Sequence, residues 1–376
     1  MSLKKRILAN IKNIPGWRTR AKLVIFNVDD YGNVRLASRA AKAQLEKAEV
    51  TLSGRFDTLD TLETREDLEA LFEVLDSVRD RNGRGAVFTP YALSVNPDLA
   101  ALRSSPDIWQ SEDLPETFGR LAGEGPQAYD GAWALWREGI ERGLMQPEFH
   151  GREHFNLHLL KRKLSRRDAD VMANIEANSM AGLKEDPDLP GIGFTHAFGL
   201  ADRSELPQHR AIIADGIARF SRIFGRPPKC FTPPAQRLLP ELHEFVAAHG
   251  VCAIDCPLYS VQQIDRDQRK GVYHITGRRR GQGHVTLVRN VIFEPNLYPS
   301  RDEVAHAMGL IQAAFRWGKP AMISSHRVNF CGHIDPANRR AGLDDLKRLL
   351  RAIVKRWPEV QFISAGELAE RVGARS

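Results

Sequence analysis

Two adjacent carboxylates follow an apolar stretch near the start of the chain. Residues 23–28 (Leu-Val-Ile-Phe-Asn-Val) run directly into Asp29 and Asp30. A continuous apolar run that ends at turn residues is typical of a buried strand, and functional side chains in α/β proteins lie at the carboxyl ends of such strands. Because side chains alternate along a strand, the two carboxylates are expected to diverge and to serve different tasks. A helix cap or a turn is the alternative for any single Asp-Asp pair.

Three histidines follow other apolar runs. His150 and His154 are four residues apart and come after the strand-like residues 147–149, while His326 ends the apolar run 321–325. On a helix, a spacing of four places two imidazoles on one face, close enough to share a metal ion. The position also resembles a strand-to-helix junction. An accidental surface pair is the alternative reading.

These five residues together suit metal-assisted hydrolysis of an amide. Two imidazoles and one carboxylate form a divalent-metal site with an open position for water. The remaining carboxylate and imidazole supply a base and an acid. Zinc is the expected metal, although the same donors also suit cobalt, manganese and iron.

The remaining pattern indicates a single α/β domain. Helical and strand-like segments alternate along most of the chain, as in parallel βα units. We therefore expect one barrel over residues 23–372, with residues 192–196 as one further strand end. Residues 96–132 break the alternation, which predicts an insertion that either covers the substrate or is an ordinary surface excursion.

The charge distribution is uneven. The net charge of the 376-residue chain is +7, but residues 1–22 hold seven basic and no acidic residues. The rest has 47 basic and 47 acidic residues, which argues against a nucleic-acid groove on the barrel. The basic arm, residues 1–22, permits weak contact with an anionic membrane surface. The sequence has no secretory apolar segment, so a cytoplasmic location is expected.

In order and spacing, these motifs resemble the polysaccharide deacetylases (the NodB-homology group, or carbohydrate esterase family 4). The Asp-Asp pair, His-x-x-x-His, Phe231-x-Pro233-Pro234, the late His326 and the closing segment 360–368 carry the resemblance, which covers most of residues 22–370. It implies a distorted (β/α) barrel of seven to eight strands. It also implies Asp30, His150 and His154 as metal ligands, Asp29 as general base and His326 as general acid. Phe231, Pro233 and Pro234 would wall the substrate site.

Two departures from the family pattern stand out. Thr232 occupies the position of the family arginine that orients the base, and Arg289 or Arg327 is expected to replace it near the substrate. Tyr31, also a predicted substrate contact, makes the opening Asp-Asp-Tyr-Gly, which resembles the YdjC/ChbG type of sugar deacetylase.

The sequence therefore predicts a metal-dependent hydrolase that removes an N-acyl group from an amino sugar or glycan in surface-polysaccharide biosynthesis. A glycan-binding protein that keeps the barrel without the chemistry is the alternative that Thr232 favours. A binder of anionic surfaces or nucleic acid through the basic arm is a third hypothesis.

Overall fold

A computed structural model describes residues 3–124, 127–263, 268–280, 283–298 and 300–374. Its strands are β1 (Leu23–Tyr31), β2 (Phe88–Leu93), β3 (Val95–Pro97), β4 (Ser111–Asp113), β5 (Glu148–Gly151), β6 (Cys230–Phe231), β7 (Ala253–Cys256), β8 (Tyr259–Gln263), β9 (Arg269–Tyr273), β10 (Arg279–Arg280), β11 (His284–Val288), β12 (Val291–Ile292), β13 (Ala321–His326) and β14 (Gln361–Phe362).

Helices surround these strands. They are α1 (Leu3–Ile11), α2 (Arg39–Lys47), α3 (Gly54–Thr58), α4 (Arg65–Asp76), α5 (Leu99–Ser104), α6 (Leu114–Glu124), α7 (Ala132–Glu141), α8 (Leu157–Arg166), α9 (Ala169–Glu176), α10 (Leu206–Phe224), α11 (Pro240–Ala248), α12 (Glu303–Arg316), α13 (Pro336–Arg356) and α14 (Ala365–Gly373). Short 3₁₀ turns cover Gln127–Tyr129, Arg203–Glu205, Pro234–Gln236 and Arg327–Phe330.

Eight parallel strands form the main sheet, in the order β11-β7-β6-β5-β2-β1-β13-β12. Strand β10 extends it antiparallel beside β11, and β14 pairs with the start of β1. Only Arg289 and Asn290 separate β11 from β12 in the chain. Three Cα–Cα steps span at most about 11 Å, so the two outer strands of the parallel set must lie near each other and the sheet must curl. The predicted distorted barrel is confirmed.

Strand β1 is buried on both sides, which explains its apolar run. Leu23 and Ile25 pack in the barrel interior, while Val24, Phe26 and Val28 pack in the larger core that includes the helices. Apolar residues of α14 join the interior cluster and close the amino end of the barrel. The opposite end, where the strands finish, is left for polar side chains.

Some local predictions were wrong. Residues 96–132 carry regular structure rather than an irregular loop, because β3 pairs with β4 and α5 and α6 bury Leu99 and Phe118; that the segment is an insertion stays a prediction, and residues 125–126 lie outside the described residues. No strand forms at residues 192–196. His150 lies in β5 and His154 in the loop before α8, so helical spacing does not bring them together.

The basic arm contains α1, which packs along α12. Its connection to β1 is held by Lys319, whose Nζ donates to the carbonyl oxygens of Gly16 (2.5 Å) and Trp17 (2.9 Å). Ala9 is buried against the barrel. None of the described helices combines the length and the apolar character that crossing a bilayer requires.

Candidate active site

The carboxyl end of the barrel holds a cavity of about 340 Å³. Six residues predicted from the sequence line it together: Asp29, Asp30, His150, His154, Pro233 and His326. They come from the ends of β1, β5, β6 and β13 or from the loops that follow. Parallel strands bring these ends to one mouth, which explains how side chains far apart in sequence meet.

Asp30 reaches this cavity through an irregularity in β1. Its backbone φ is 73°, and the register with β2 shifts between Val28 and Tyr31. Regular alternation would turn Asp30 away from Asp29 and toward the helices. The left-handed conformation is unfavourable for a residue with a Cβ and is characteristic of functional sites. Here it brings both carboxylates to the same cavity.

Asp30, His150 and His154 form a compact set of potential metal ligands. Oδ1 of Asp30 lies 2.9 Å from Nε2 of His154 and 3.4 Å from Nε2 of His150. Each residue offers one potential ligand atom, and these three atoms all lie within 4.8 Å of one another. All three residues are buried. Nδ1 of His150 lies 2.7 Å from the carbonyl oxygen of Thr232, to which it donates. That bond directs the lone pair of Nε2 toward the cluster.

The protonation states also fit a cation. Burial alone would raise the pKa of Asp30, but His154 and His150 lower it well below its ordinary value. Burial lowers the pKa of His154. Nε2 of His150 is buried without a hydrogen-bond partner among the described residues. An ionised Asp30 and a neutral His154 are the forms that bind a divalent metal, and a cation would satisfy the unpaired Nε2 of His150.

Asp29 is held by a bidentate arginine. Nη1 and Nη2 of Arg289 each donate to one carboxylate oxygen of Asp29 at 2.7 Å. Nε of Arg289 donates to Asp255, and Nη2 also donates to Oγ1 of Thr232 at 3.0 Å. Burial would raise the pKa of Asp29, but Arg289 lowers it below its ordinary value. Arg289 thus orients the predicted base from the connection between β11 and β12.

His326 lies directly beside Asp29. The two residues are register partners on the neighbouring parallel strands β1 and β13, and Nε2 of His326 is 3.9 Å from Oδ2 of Asp29. Nδ1 of His326 donates to Oε1 of Glu294 at 2.6 Å, and Arg55 donates to the other oxygen of that carboxylate. Burial would lower the pKa of His326, but Glu294 raises it to about 9. The imidazolium form is therefore present at neutral pH.

Three predicted substrate contacts lie in the interior instead. Tyr31, Phe231 and Arg327 are at most 1% exposed. Arg327 pairs with Asp60 and Glu63 and donates to the carbonyl oxygen of Asn33 at 2.8 Å. A substrate in the cavity cannot touch these side chains, so the prediction that they contact the substrate directly was wrong. Arg327 stabilises the turn after β1.

Pro234 is buried beside Gly151 and supports Pro233, which does line the cavity. Arg289 does not line the cavity, but it donates to Asp29 and to Oγ of Ser324, which both do.

Sequence reasoning missed four further residues near the cavity. Glu294 and Arg55 support His326, Asp255 supports Arg289, and Arg35 lines the cavity near His154. Asp255 and Glu294 each follow an apolar run, so they carried the same signal as Asp29. Arg35 and Arg55 follow no such run.

The sequence matches no family model, and no curated protein matches it. A solved structure from Parabacteroides distasonis, described as a glycoside hydrolase/deacetylase, is 10% identical with a TM-score of 0.52, over 94% of this chain and 71% of that one. A Pseudomonas aeruginosa PAO1 protein, described as a polysaccharide deacetylase, is 11% identical with a TM-score of 0.48, over 95% and 92%. A 4-alpha-glucanotransferase from Thermococcus litoralis is also 11% identical, with a TM-score of 0.48, and this chain spans 40% of its length. At these identities the likeness concerns the fold, and the first structure supports the barrel.

Proposed function

We propose that this protein is a metal-dependent hydrolase that removes an N-acyl group, such as acetyl, from an amino sugar or glycan. One observation carries the proposal: the Asp30-His150-His154 cluster shares a single cavity with the carboxylate of Asp29 and the imidazole of His326. The barrel likeness to a protein described as a glycoside hydrolase/deacetylase is consistent with this chemistry. A role in surface-polysaccharide biosynthesis stays a prediction.

Asp30, His150 and His154 would hold the cation. A bound divalent metal would polarise the acyl carbonyl and lower the pKa of water at its open position. Zinc remains the expected metal.

Asp29 and His326 would perform the proton transfers. Asp29 is ionised and takes a proton from the attacking water, while Arg289 holds the carboxylate in place. His326 donates a proton to the leaving nitrogen, so that the amide and water become a carboxylate and a free amine. The separation of 3.9 Å between the two side chains allows both to act on one reacting group. Arg289 also weakens the case for a non-catalytic glycan binder, because it supplies the orienting cation that Thr232 cannot.

Acetate release tests the proposal. Chelator-treated protein is supplied with Zn²⁺, Co²⁺ or Mn²⁺ and incubated with N-acetylglucosamine and its oligomers, and the acetate formed is quantified. We expect metal-dependent release. Binding of the sugars by fully loaded protein without any acetate would support the non-catalytic alternative instead.

The pH profile tests the role of Glu294. Replacing Glu294 by Gln removes the largest of the charges that raise the pKa of His326, so this pKa will fall, with Asp29 and Asp30 left to oppose the effect of burial. The acid form of His326 is lost as pH rises through its pKa, about 9 in the wild type. In E294Q the alkaline limb of the kcat profile is therefore expected to move to lower pH by at least about one unit.

Metal content serves as the control, because Glu294 contacts His326, Arg55 and Asn329 rather than the predicted ligands. An alkaline limb at the same pH in both proteins would contradict proton donation by His326.

A further inference from the structure

A second cavity of about 460 Å³ lies beside the candidate active site. Pro233 and Gln236 line both cavities, so the two spaces meet at the segment Pro233–Gln236. On the far side, the second cavity is bounded by residues of β8 and β9. Its volume is in the range of sites for small molecules.

The wall between the cavities has a strained backbone. Ala235 and Gln236 have φ values of 56° and 51°, so two consecutive non-glycine residues are left-handed. This conformation is unfavourable for residues with a Cβ and persists where the surrounding structure requires it. The strained turn places the side chain of Gln236 at the boundary of both spaces.

Two arginines line the second cavity. Among the residues that the structure describes, no carboxylate lies within 4 Å of the guanidinium of Arg237 or of Arg269. Arg237 is 3.3 Å from Nδ1 of His196, and burial together with both arginines lowers the pKa of that imidazole to about 4. His196 is therefore neutral and accepts the hydrogen bond. Glu185 also lines the cavity, so the lining holds one carboxylate and two guanidinium groups.

We propose that the second cavity binds an anionic group, a phosphate or a carboxylate, on the part of the substrate beyond the acylated sugar. The inference rests on the proposed function, because adjacency to the active site at Pro233 and Gln236 is what makes the cavity a substrate subsite. Guanidinium groups that have no carboxylate partner among the described residues are suited to both oxyanions. The apolar side chains of Phe198, Leu239 and Ile254 at the same cavity would contact the uncharged part of the ligand.

Kinetics on matched substrates tests the subsite. Wild type, R237A/R269A and the control K270A are assayed on N-acetylglucosamine, its 1-phosphate, and a disaccharide of N-acetylglucosamine and glucuronic acid. Lys270 is the exposed neighbour of Arg269 and does not line the cavity. In the double variant we expect the KM for a charged substrate to rise by on the order of tenfold. The kcat values and the KM for the neutral sugar should stay nearly unchanged. The charged substrate that shows this effect identifies phosphate or carboxylate as the preferred anion.

A binding measurement separates this inference from the proposed function. Inorganic pyrophosphate is titrated calorimetrically into chelator-treated wild type and variants, without turnover. Pyrophosphate binding that is lost in R237A/R269A and kept in K270A would support an anion site. If no sugar is hydrolysed by any of these proteins, only the hydrolase proposal fails. The opposite outcome is that the neutral sugar is hydrolysed, but R237A/R269A changes neither the KM for charged substrates nor the binding of pyrophosphate. That result would refute the subsite and leave the hydrolase proposal intact.

A separate observation concerns α1, whose apolar side chains face outward. Leu3, Ile7 and Ile11 are four residues apart and are 73%, 50% and 53% exposed, while Ala9 and the following Asn13 are buried against the barrel. Lys4 and Arg6 lie on this helix, and residues 1–22 contain no acid. An outward apolar stripe among basic residues is the pattern of a helix that lies in a membrane interface. We infer that α1 docks on an anionic membrane surface.

Vesicle sedimentation tests this inference. We expect the protein to sediment with phosphatidylcholine vesicles that contain about one-third phosphatidylglycerol, and to bind pure phosphatidylcholine several-fold less. I7E/I11E is expected to abolish sedimentation, whereas the control I108E, at a side chain that is 60% exposed elsewhere, leaves it unchanged. Equal binding to neutral vesicles would refute an electrostatic contribution. If the wild type instead self-associates and I7E/I11E is monomeric, the apolar stripe binds a second copy of the chain and the membrane inference is refuted.

Discussion

Replacing Asp29 by Asn is expected to lower kcat by about 10³-fold while the protein keeps its metal. Asparagine has nearly the same size and leaves Asp30, His150 and His154 untouched. It cannot take a proton from water, however, because its oxygen belongs to a neutral amide. The rate is measured by acetate release and the metal content by atomic emission on the same preparation.

Asp255→Asn is the matched control for that variant. Asp255 also binds Arg289, but it is fully buried and does not line the active-site cavity. The control therefore makes the same carboxylate-to-amide change beside the same guanidinium while keeping the proposed base. We expect its loss of kcat to stay within about tenfold, since Asp29 and Thr232 still hold Arg289. Turnover by D29N equal to that of the wild type would contradict the mechanism.

The parts of this site that could be predicted from sequence are those that depend on topology alone. Parallel strands end at one mouth, so polar residues after apolar runs must meet there. Asp29, Asp30, His150 and His326 were found in this way, because each is part of or follows such a run. The barrel itself follows from the same alternation of strands and helices.

The parts that could not be predicted depend on backbone conformation and on how the sheet closes. Side-chain alternation separates Asp29 from Asp30, and only the left-handed φ of Asp30 brings both to the cavity. Arg289 and Arg327 both follow strand-like segments, so the sequence does not distinguish them. Arg289 lies between β11 and β12, the outer strands of the curled parallel sheet, from where it reaches Asp29 and Asp255. Arg327 comes one residue after His326 and is directed into the Asp60-Glu63 pair.

Replacing His154 by Ala is expected to remove the metal and the activity together. The variant loses one of three protein ligands and leaves Oδ1 of Asp30 without its nearest imidazole, at 2.9 Å in the wild type. We expect metal affinity to fall by at least about 10²-fold. Zinc at a hundred times its dissociation constant should stabilise the wild type by about 2.7 kcal/mol, and H154A should not show this increase. Metal content and the melting temperature with and without Zn²⁺ measure both effects.

His158→Ala is the matched control, because His158 continues the same spacing of four along the chain. His158 lies in the first turn of α8, where its side chain is partly exposed and its Nδ1 is 3.6 Å from Oε1 of Glu205. It does not line the cavity. If histidines bound metal through their spacing alone, H158A would lose zinc as H154A does. Geometry at the barrel mouth predicts instead that H158A keeps wild-type metal and rate. Metal retained by H154A at wild-type affinity would contradict the proposed cation site.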